Sequence, residues 1–369
     1  MKWRRVVMGV LCVILLLVAS RAWYLRTHSL REAVLRQDAG QVRIDLLLGA
    51  NPDEPLISGG FTPLRFAAST GQTEACRLLL SRGARPDFHG LADAAMKGYT
   101  QIALMLLEHG ADPNDGLAAQ VGSVSLPIHF ASQHNRFELV QSLLAHGAPA
   151  DAPDGNGFTP LYLAAQWGAL EAAEELLSHG ADPELPDRSG NGPLHVAAER
   201  GQADVVATLL AHGARVDARN HAGSMPLHTA AVGGRIEACR LLLEAGADPK
   251  AINQEGETPL HEAAGRSGSQ ALLALLLNAG GDPNARDRHG ATPLHRAAAV
   301  DGVLVRALLE RGADPNVRDA RGWTPMHVRA GWDSRRVARM LRESGFVDPP
   351  GGLWSRTDPA CSGASGQRA

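Results

Sequence analysis

Residues 190–201 read GNGPLHVAAERG, and this stretch, with the residues that follow it, decides the fold. Apolar residues then recur at helical spacing, at Val205, Val206, Leu209 and Leu210. The unit closes on HGA at 212–214 and is written about ten times along the chain. Its proline recurs every 33 residues, at Pro160, Pro193, Pro226 and Pro259. A fixed period in this range predicts a stacked-repeat architecture.

The composition suits thin helices that pack closely. Apolar residues make up 44% of the 369 residues and aromatic residues only 4%, so alanine and leucine supply the core. In a stacked array each unit contacts only its neighbours, and the core grows in one dimension. The formal net charge of −3 gives no overall basic surface, and we expect no nucleic-acid partner.

Each part of the unit has a physical role in a pair of helices. Thr159 and its equivalents predict helix N-caps, and Pro160 suits the first turn, where no amide donor is needed. The Ala-Ala pair is small, so neighbouring helix pairs can approach closely. Gly168 ends the first helix where a left-handed residue is required, and a turn such as 187–190 projects between repeats.

The third repeat departs from this pattern. Its pair Ala94-Ala95 comes 27 residues after Ala67-Ala68, and no Thr-Pro precedes it. Its hairpin and its stacking on the fourth repeat are therefore open questions. An insertion-like stretch, 115–125, follows it. At the other end of the array, arginines on the outward positions of 334–344 predict a polar C-terminal cap.

The Thr-Pro-Leu-His, Ala-Ala, Leu-Leu and Gly-Ala-Asp elements at this period resemble the ankyrin repeat over roughly residues 30–348. The resemblance implies an all-α fold, an ankyrin-repeat solenoid of about ten helix-pair repeats with inter-repeat β-hairpins or turns. It also implies a concave surface that binds proteins. We divide the chain into an N-terminal segment, 1–26, an ankyrin repeat domain, 27–348, and a disordered tail, 349–369.

The N-terminal segment has the character of a membrane-directed sequence. Basic residues at positions 2, 4 and 5 precede an apolar run of 14 residues, 6–19. This run is shorter than a spanning helix and within the range of a signal-peptide core. Trp23-Tyr24 resembles an interfacial anchor. We keep both interpretations open and favour the anchor, with the soluble domain in the periplasm of a bacterium; the alternative is secretion after cleavage.

Fifteen histidines raise the question of metal binding or catalysis. Most recur two residues after the proline or just before the closing glycine, so the period explains them as local structural residues. His261-Glu262 begins a zinc-protease pattern, but Gly265 stands where the second histidine must be. Cys76 and Cys239 occupy equivalent positions five repeats apart, which disfavours a disulfide. We expect no catalytic site, no metal and no cofactor.

The positions where the copies disagree are the candidates for partner binding. The resemblance to the ankyrin family implies that these are the turn tips, the residue before Thr-Pro and the two residues after Ala-Ala. Aromatic and arginine side chains there are typical interface anchors. The predicted partner-binding residues are Trp167, Trp332, Trp323, Phe158, Arg188, Arg200, Arg288 and Arg321. Local packing on their own hairpins is the alternative for Phe158 and Trp323.

Charge is uneven along the chain. Residues 151–199 hold nine acids and one base, whereas 286–342 hold twelve arginines and six acids. The predicted function is a non-enzymatic protein–protein interaction scaffold, a monomer that binds a partner protein through its concave face and touches a membrane through its N-terminal segment. The alternative is an accessory or inhibitory subunit that docks on an enzyme or toxin, with the 115–125 insertion as its contact.

Overall fold

The computed structural model describes residues 29–56, 60–115, 125–328 and 334–347. The N-terminal segment, the tail, Trp332 and most of the 115–125 insertion lie outside these residues. Contacts between Cα atoms divide the chain into two compact units, each described by itself. The first unit comprises residues 1–197 and 202–215, and the second comprises 198–201 and 216–369.

The first unit is built from consecutive pairs of short helices. They are α1 (Leu30–Leu35), α2 (Ala39–Leu47), α3 (Pro63–Ser69), α4 (Thr73–Ser81), α5 (Phe88–Lys97), α6 (Thr100–Glu108), α7 (Pro127–Gln133), α8 (Phe137–Ala145), α9 (Pro160–Trp167), α10 (Leu170–Ser178), α11 (Pro193–Arg200) and α12 (Ala203–Ala211). The last residues of α11 belong to the second unit.

The second unit continues the same pattern. Its helices are α13 (Pro226–Gly233), α14 (Ile236–Glu244), α15 (Pro259–Ala264), α16 (Gln270–Asn278), α17 (Pro293–Val300), α18 (Gly302–Leu309), a 3₁₀ helix (Pro325–His327) and α19 (Ser334–Glu343). Within the described ranges, no helix is long and apolar enough to cross a membrane. The all-α prediction is confirmed, and the described junctions between repeats are tight turns, such as the one that Asp187 N closes on Asn191 O at 2.9 Å.

Helix α9 begins and ends as its sequence predicts. The Thr159 hydroxyl accepts from the Tyr162 amide at 3.1 Å, and Pro160 follows at the first helical position. Gly168 ends α9 with a φ of +73°, in the left-handed region that only glycine adopts without strain.

Small and apolar side chains fill the space between helix pairs. Leu161, Ala164 and Ala165 of α9 are fully buried, and α9 packs against both α7 and α10. Full burial of a leucine side chain contributes about 2 kcal/mol. Cys76 and Cys239 are buried and free, and burial raises the pKa of both thiols to about 12, so they pack as small apolar groups.

The third repeat stacks normally despite its missing Thr-Pro. Asp87 takes over the N-cap of α5, and its carboxylate accepts from the Gly90 amide at 2.7 Å. Phe88 is buried, and α5 packs on both α3 and α7. The shortened sequence therefore removes part of the junction but leaves the helix stack continuous.

The histidine two residues after the proline connects one repeat to the next. In the second unit, Thr258 N donates to His261 Nδ1 at 3.1 Å, and His261 Nε2 donates to Ala291 O at 3.2 Å. In the first unit, His129 likewise accepts from Leu126 N at 2.9 Å, but it donates to Ala152 O at 2.8 Å, a carbonyl that comes earlier in the following junction than the equivalent of Ala291. These bonds require a neutral ring that carries its proton on Nε2.

A second connection joins the ends of successive repeats. Asn284 donates from Nδ2 to Gly312 O at 3.0 Å, and its Oδ1 accepts from Asp314 N at 2.8 Å. Asn114 donates in the same way to Gly147 O at 2.9 Å, but its buried Oδ1 has no partner. The reason is Pro149, which occupies the position of Asp314 in the repeat and has no amide hydrogen.

Acidification should weaken the fold. Burial lowers the pKa of His129, His261 and His295 below the ordinary value. The unfolded chain therefore takes up protons near pH 6.5, where the folded chain does not, and stability falls as the pH drops from about 6.5 through the folded-state pKa values.

Urea unfolding between about pH 7.5 and pH 5.5 measures this dependence. His261→Gln should reduce its slope by up to about 1.4 kcal/mol per pH unit, because one proton fewer is exchanged. An unchanged slope in this variant would contradict the assignment.

Pro149→Asp should stabilise the protein by about 1 kcal/mol, because the new amide satisfies Asn114 Oδ1. This net value already includes a loss of about 0.5 kcal/mol, because the unfolded chain gains conformational freedom when proline is replaced. Urea unfolding of the single variants and of the double variant with Asn114→Ala forms the test. The gain should vanish in the double variant; an equal gain in both backgrounds would rule out this hydrogen bond.

Candidate functional site

The predicted partner-binding residues divide between the two units. The first unit holds Phe158, Trp167 and Arg188. The second unit holds Arg200, Arg288, Arg321 and Trp323. Trp332 lies outside the described residues.

Phe158 packs on its own repeat. Its ring stacks on Tyr162, with centroids 4.6 Å apart and an angle of 5° between the planes. Tyr162 stands where most repeats carry histidine, and its hydroxyl donates to Asp187 Oδ2 in the next turn at 3.0 Å. Arg188 donates from Nη2 to Gly155 O at 2.5 Å. Phe158 is thus held by its own repeat and half-buried, whereas Arg188 is held by the preceding turn.

Trp167 is 59% exposed, the largest exposed aromatic surface described in the first unit. It is the last residue of α9, whereas Phe158 lies just before the start of that helix. A helix of this length separates its two ends by about 12 Å. The structure therefore does not bring Trp167 and Phe158 together. Arg200 occupies the repeat position of Trp167, before the glycine that ends the first helix, and is exposed.

Four successive turns of the second unit form a connected row. We call it the tip row and define it by residues 220–224, 253–257, 287–291 and 319–323. Each of the last three turns donates a backbone amide to a carbonyl of the turn before it. The bonds run from Gln254 to Ala222 at 2.9 Å, from Arg288 to Glu255 at 2.8 Å and from Ala320 to His289 at 2.7 Å. The turns that carry Arg288, Arg321 and Trp323 are therefore fixed relative to one another.

The tip row presents both charge and an aromatic face. Arg288 Nη1 lies 2.9 Å from Glu255 Oε1, and His289 Nε2 lies 3.9 Å from the other oxygen of that carboxylate. The pair is exposed, so it contributes little to stability and can exchange for a partner's charge. The Arg321 guanidinium lies 5.7 Å from the centre of the Trp323 ring, which is 45% exposed.

Arg296 supports the tip row from α17, although it was not among the predicted partner-binding residues. Its guanidinium binds the Glu257 carboxylate and lies 3.9 Å from Asp287 Oδ2, so it connects two turns of the row. Burial lowers the pKa of Arg296. An arginine at this position is unusual within the chain, because most repeats place an uncharged residue after the histidine. This departure from the repeat could have identified Arg296 from the sequence.

The arrangement is suited to binding a macromolecular surface. It combines an aromatic face, exposed guanidinium donors and a carboxylate on a rigid row of turns. Among the described residues, no group of three or more His, Cys, Asp and Glu side chains could hold a metal ion.

Known proteins share the repeat pattern. A family model described as ankyrin repeats (3 copies) matches residues 32–116, 128–220, 194–287 and 260–349. Cyclin-dependent kinase 4 inhibitor B of Bos taurus is 41% identical over 101 residues, which are 26% of this chain and 75% of that protein. The Rattus norvegicus protein of the same name is 40% identical over 104 residues, 27% of this chain and 78% of its own.

A solved structure supports the same relationship. The ankyrin repeat domain of Bcl-3, described as a unique member of the IkappaB protein family, aligns with a TM-score of 0.52 and 31% identity. The alignment covers 60% of this chain and 99% of that domain.

Tyr162→Phe should lower the free energy of unfolding by about 1 kcal/mol, because Asp187 Oδ2 loses its phenol donor while the stack on Phe158 is kept. Thermal or urea unfolding measures the change. Tyr162→His is the matched control, since it restores a donor that other repeats use, and it should recover part of the loss. A Phe variant as stable as the wild type would mean that the bond contributes nothing.

Proposed function

Because this chain belongs to the ankyrin-repeat family, we propose that it is a non-enzymatic scaffold that binds a partner protein, as a monomer, through the tip row and the adjoining concave face. Ankyrin repeats are protein–protein interaction scaffolds. The observation that carries the proposal is Trp323, exposed beside Arg321 on a turn that Ala320 fastens to its neighbour. Tryptophan and arginine are the residues most often found at binding hot spots.

Preorganisation of the tip row supports this role. Binding costs free energy when loops must be ordered at the interface, and a surface that is already fixed avoids much of that cost. Backbone bonds hold the turns in line, and Arg296 joins Glu257 and Asp287 behind them. The side chains of Arg288 and Trp323 are then displayed on a rigid support.

Trp167 and Arg200 form a separate part of the proposal. Both precede a glycine at the end of a first helix, where the repeat copies disagree in sequence. Their exposure makes them available to the same partner or to a second one. Phe158 and Arg188, which are held by local contacts, are expected to contribute less.

The proposed location is a bacterial membrane. The basic and apolar residues at 1–26 support an array held at the membrane or exported across it. The mass of the mature N-terminus, taken from a membrane preparation, distinguishes an anchor from a cleaved signal. An intact N-terminus supports the anchor, and a mature chain whose mass shows that it starts after the apolar run supports cleavage.

An inhibitory subunit is the second candidate function. The relatives from Bos taurus and Rattus norvegicus are named as inhibitors of a kinase, which supports docking on an enzyme as one use of such repeats. The name of these relatives does not imply that the enzyme bound by this chain is a kinase. Recovery of an enzyme or toxin as the captured partner, with its activity lowered by the purified chain, would favour this candidate.

Affinity capture from native membranes, followed by mass spectrometry, tests the binding surface. Arg321→Ala combined with Trp323→Ala should weaken capture of the partner at least tenfold, since truncation of a hot-spot residue costs about 2 kcal/mol. Arg36→Ala is the control, because Arg36 is also an exposed arginine with an ion pair, to Glu32 at 2.5 Å.

The outcome separates the tip row from the rest of the chain. Proteins that are captured by the wild type and the control, but lost with the double variant, are partners of the tip row. An identical set of captured proteins from all three would show that the tip row does not bind them.

A further inference from the structure

The last helix, α19, has one buried and one exposed face. Its buried residues pack against α18 and the 3₁₀ helix. They are Val337, Met340 and Leu341. The exposed face carries a stripe of four arginines, Arg335, Arg336, Arg339 and Arg342. An ordinary polar end cap mixes charges of both signs, whereas Glu343 is the only acid on α19.

The neighbouring helix extends this basic surface. Arg306 is exposed on α18, which packs directly against α19. Glu310, just after α18, and Asp301, at its N-cap, are the acids nearest in sequence, and Asp301 already accepts from the Val303 amide at 2.9 Å. We call Arg306 and the four arginines of α19 the arginine patch.

Most of the arginine patch has no carboxylate partner. Some exposed arginines elsewhere sit in ion pairs, such as Arg77 with Glu74 at 2.5 Å and Arg43 with the same residue at 3.2 Å. Within the part of the chain that the structure describes, the side chains of Arg306, Arg335, Arg339 and Arg342 lie at ion-pair distance from no carboxylate. Their donors are available to an external anion.

We propose that the arginine patch binds the phosphate headgroups of an anionic membrane surface. A guanidinium is a planar fork that matches phosphate oxygens. Arg335, Arg339 and Arg342 follow one line along the helix, about 10 Å long. The helix packed against α19 carries one further exposed guanidinium, that of Arg306. Clusters of four to eight basic residues on one helix face are typical of binding to anionic lipid.

A lipid surface fits this patch better than a protein does. The hot spots of protein interfaces combine arginine with tryptophan and tyrosine in well-packed pockets, and neither α18 nor α19 contains an aromatic residue. Binding to unpaired single strands of nucleic acid likewise depends on aromatic stacking. Charge without anchors is sufficient for headgroups, where each basic residue contributes independently.

The patch would act beside the proposed scaffold, since its residues are not those of the tip row. A single membrane attachment is weak unless a second signal adds to it. The arginine patch supplies such a signal whether or not the N-terminal segment is retained, and it would hold the second unit against the membrane.

Vesicle co-sedimentation of the full chain tests this inference. One set of vesicles is phosphatidylcholine, and the other contains about 30% phosphatidylglycerol. The stripe variant is R335Q/R339Q/R342Q, which keeps good helix formers at each position. The control, R36Q/R77Q/R240Q, removes the same charge from exposed arginines that are paired with glutamate.

The wild type should partition more strongly into the anionic vesicles, and added salt should reverse the gain. The stripe variant should lose about fivefold for each arginine, roughly 100-fold in all. The control should keep most of the gain. Circular dichroism of both variants establishes that the fold is unchanged.

Equal losses in the stripe variant and the control would overturn the proposal, because net charge would then explain the binding. Wild-type binding that is the same in both vesicle types would also overturn it. Tighter binding to a double-stranded DNA probe than to vesicles, lost with the stripe variant, would replace lipid with nucleic acid. The capture experiment on the tip row uses other residues, so either proposal can fail without the other.

Discussion

No helix pair in the part of the chain that the structure describes can bury its apolar face by itself. Ala164 and Ala165 are fully buried because α9 lies against α7 and α10, and the same small pair in other repeats permits the same close approach. Helices of eight or nine residues are marginal in isolation, so their stability comes from the neighbouring pairs. The remaining features of the fold serve to keep each pair in register with the next.

Polar side chains perform that alignment. His261 accepts a hydrogen bond from an amide of its own repeat and donates one to a carbonyl of the following turn. Asn284 both donates and accepts a hydrogen bond at the next junction. In both cases one side chain satisfies backbone groups that a turn leaves unpaired. Hydrogen bonds therefore recur with the period of the sequence, and the proline at position 149 removes one of them.

The sequence predicts the parts of the fold that depend on one repeat. Thr159, Pro160 and Gly168 define the limits of α9, and the local role of the histidines follows from their recurrence. Contacts between repeats were harder to predict. The bond from His261 to Ala291 spans 30 residues, and Glu257, the partner of Arg296, lies 39 residues away. Neither contact can be predicted from the sequence of a single repeat. The exposure of Trp167 and Trp323 agrees with a binding role, but recognition depends on a partner surface that this chain does not contain.

Tyr162 gives its junction a response to acidity that differs from that of its neighbours. At His129 the link between repeats depends on a ring that must stay neutral to accept an amide, so protonation breaks it. At Tyr162 a phenol makes the link to Asp187, and phenols keep their proton throughout the range in which imidazole titrates. In a mildly acidic compartment the junctions linked by histidine would lose this hydrogen bond, whereas the junction linked by Tyr162 would keep it. The residue two positions after the proline, histidine or tyrosine, determines which junctions weaken on acidification. A substitution at this one position could therefore change the flexibility of a junction without changing the repeat architecture.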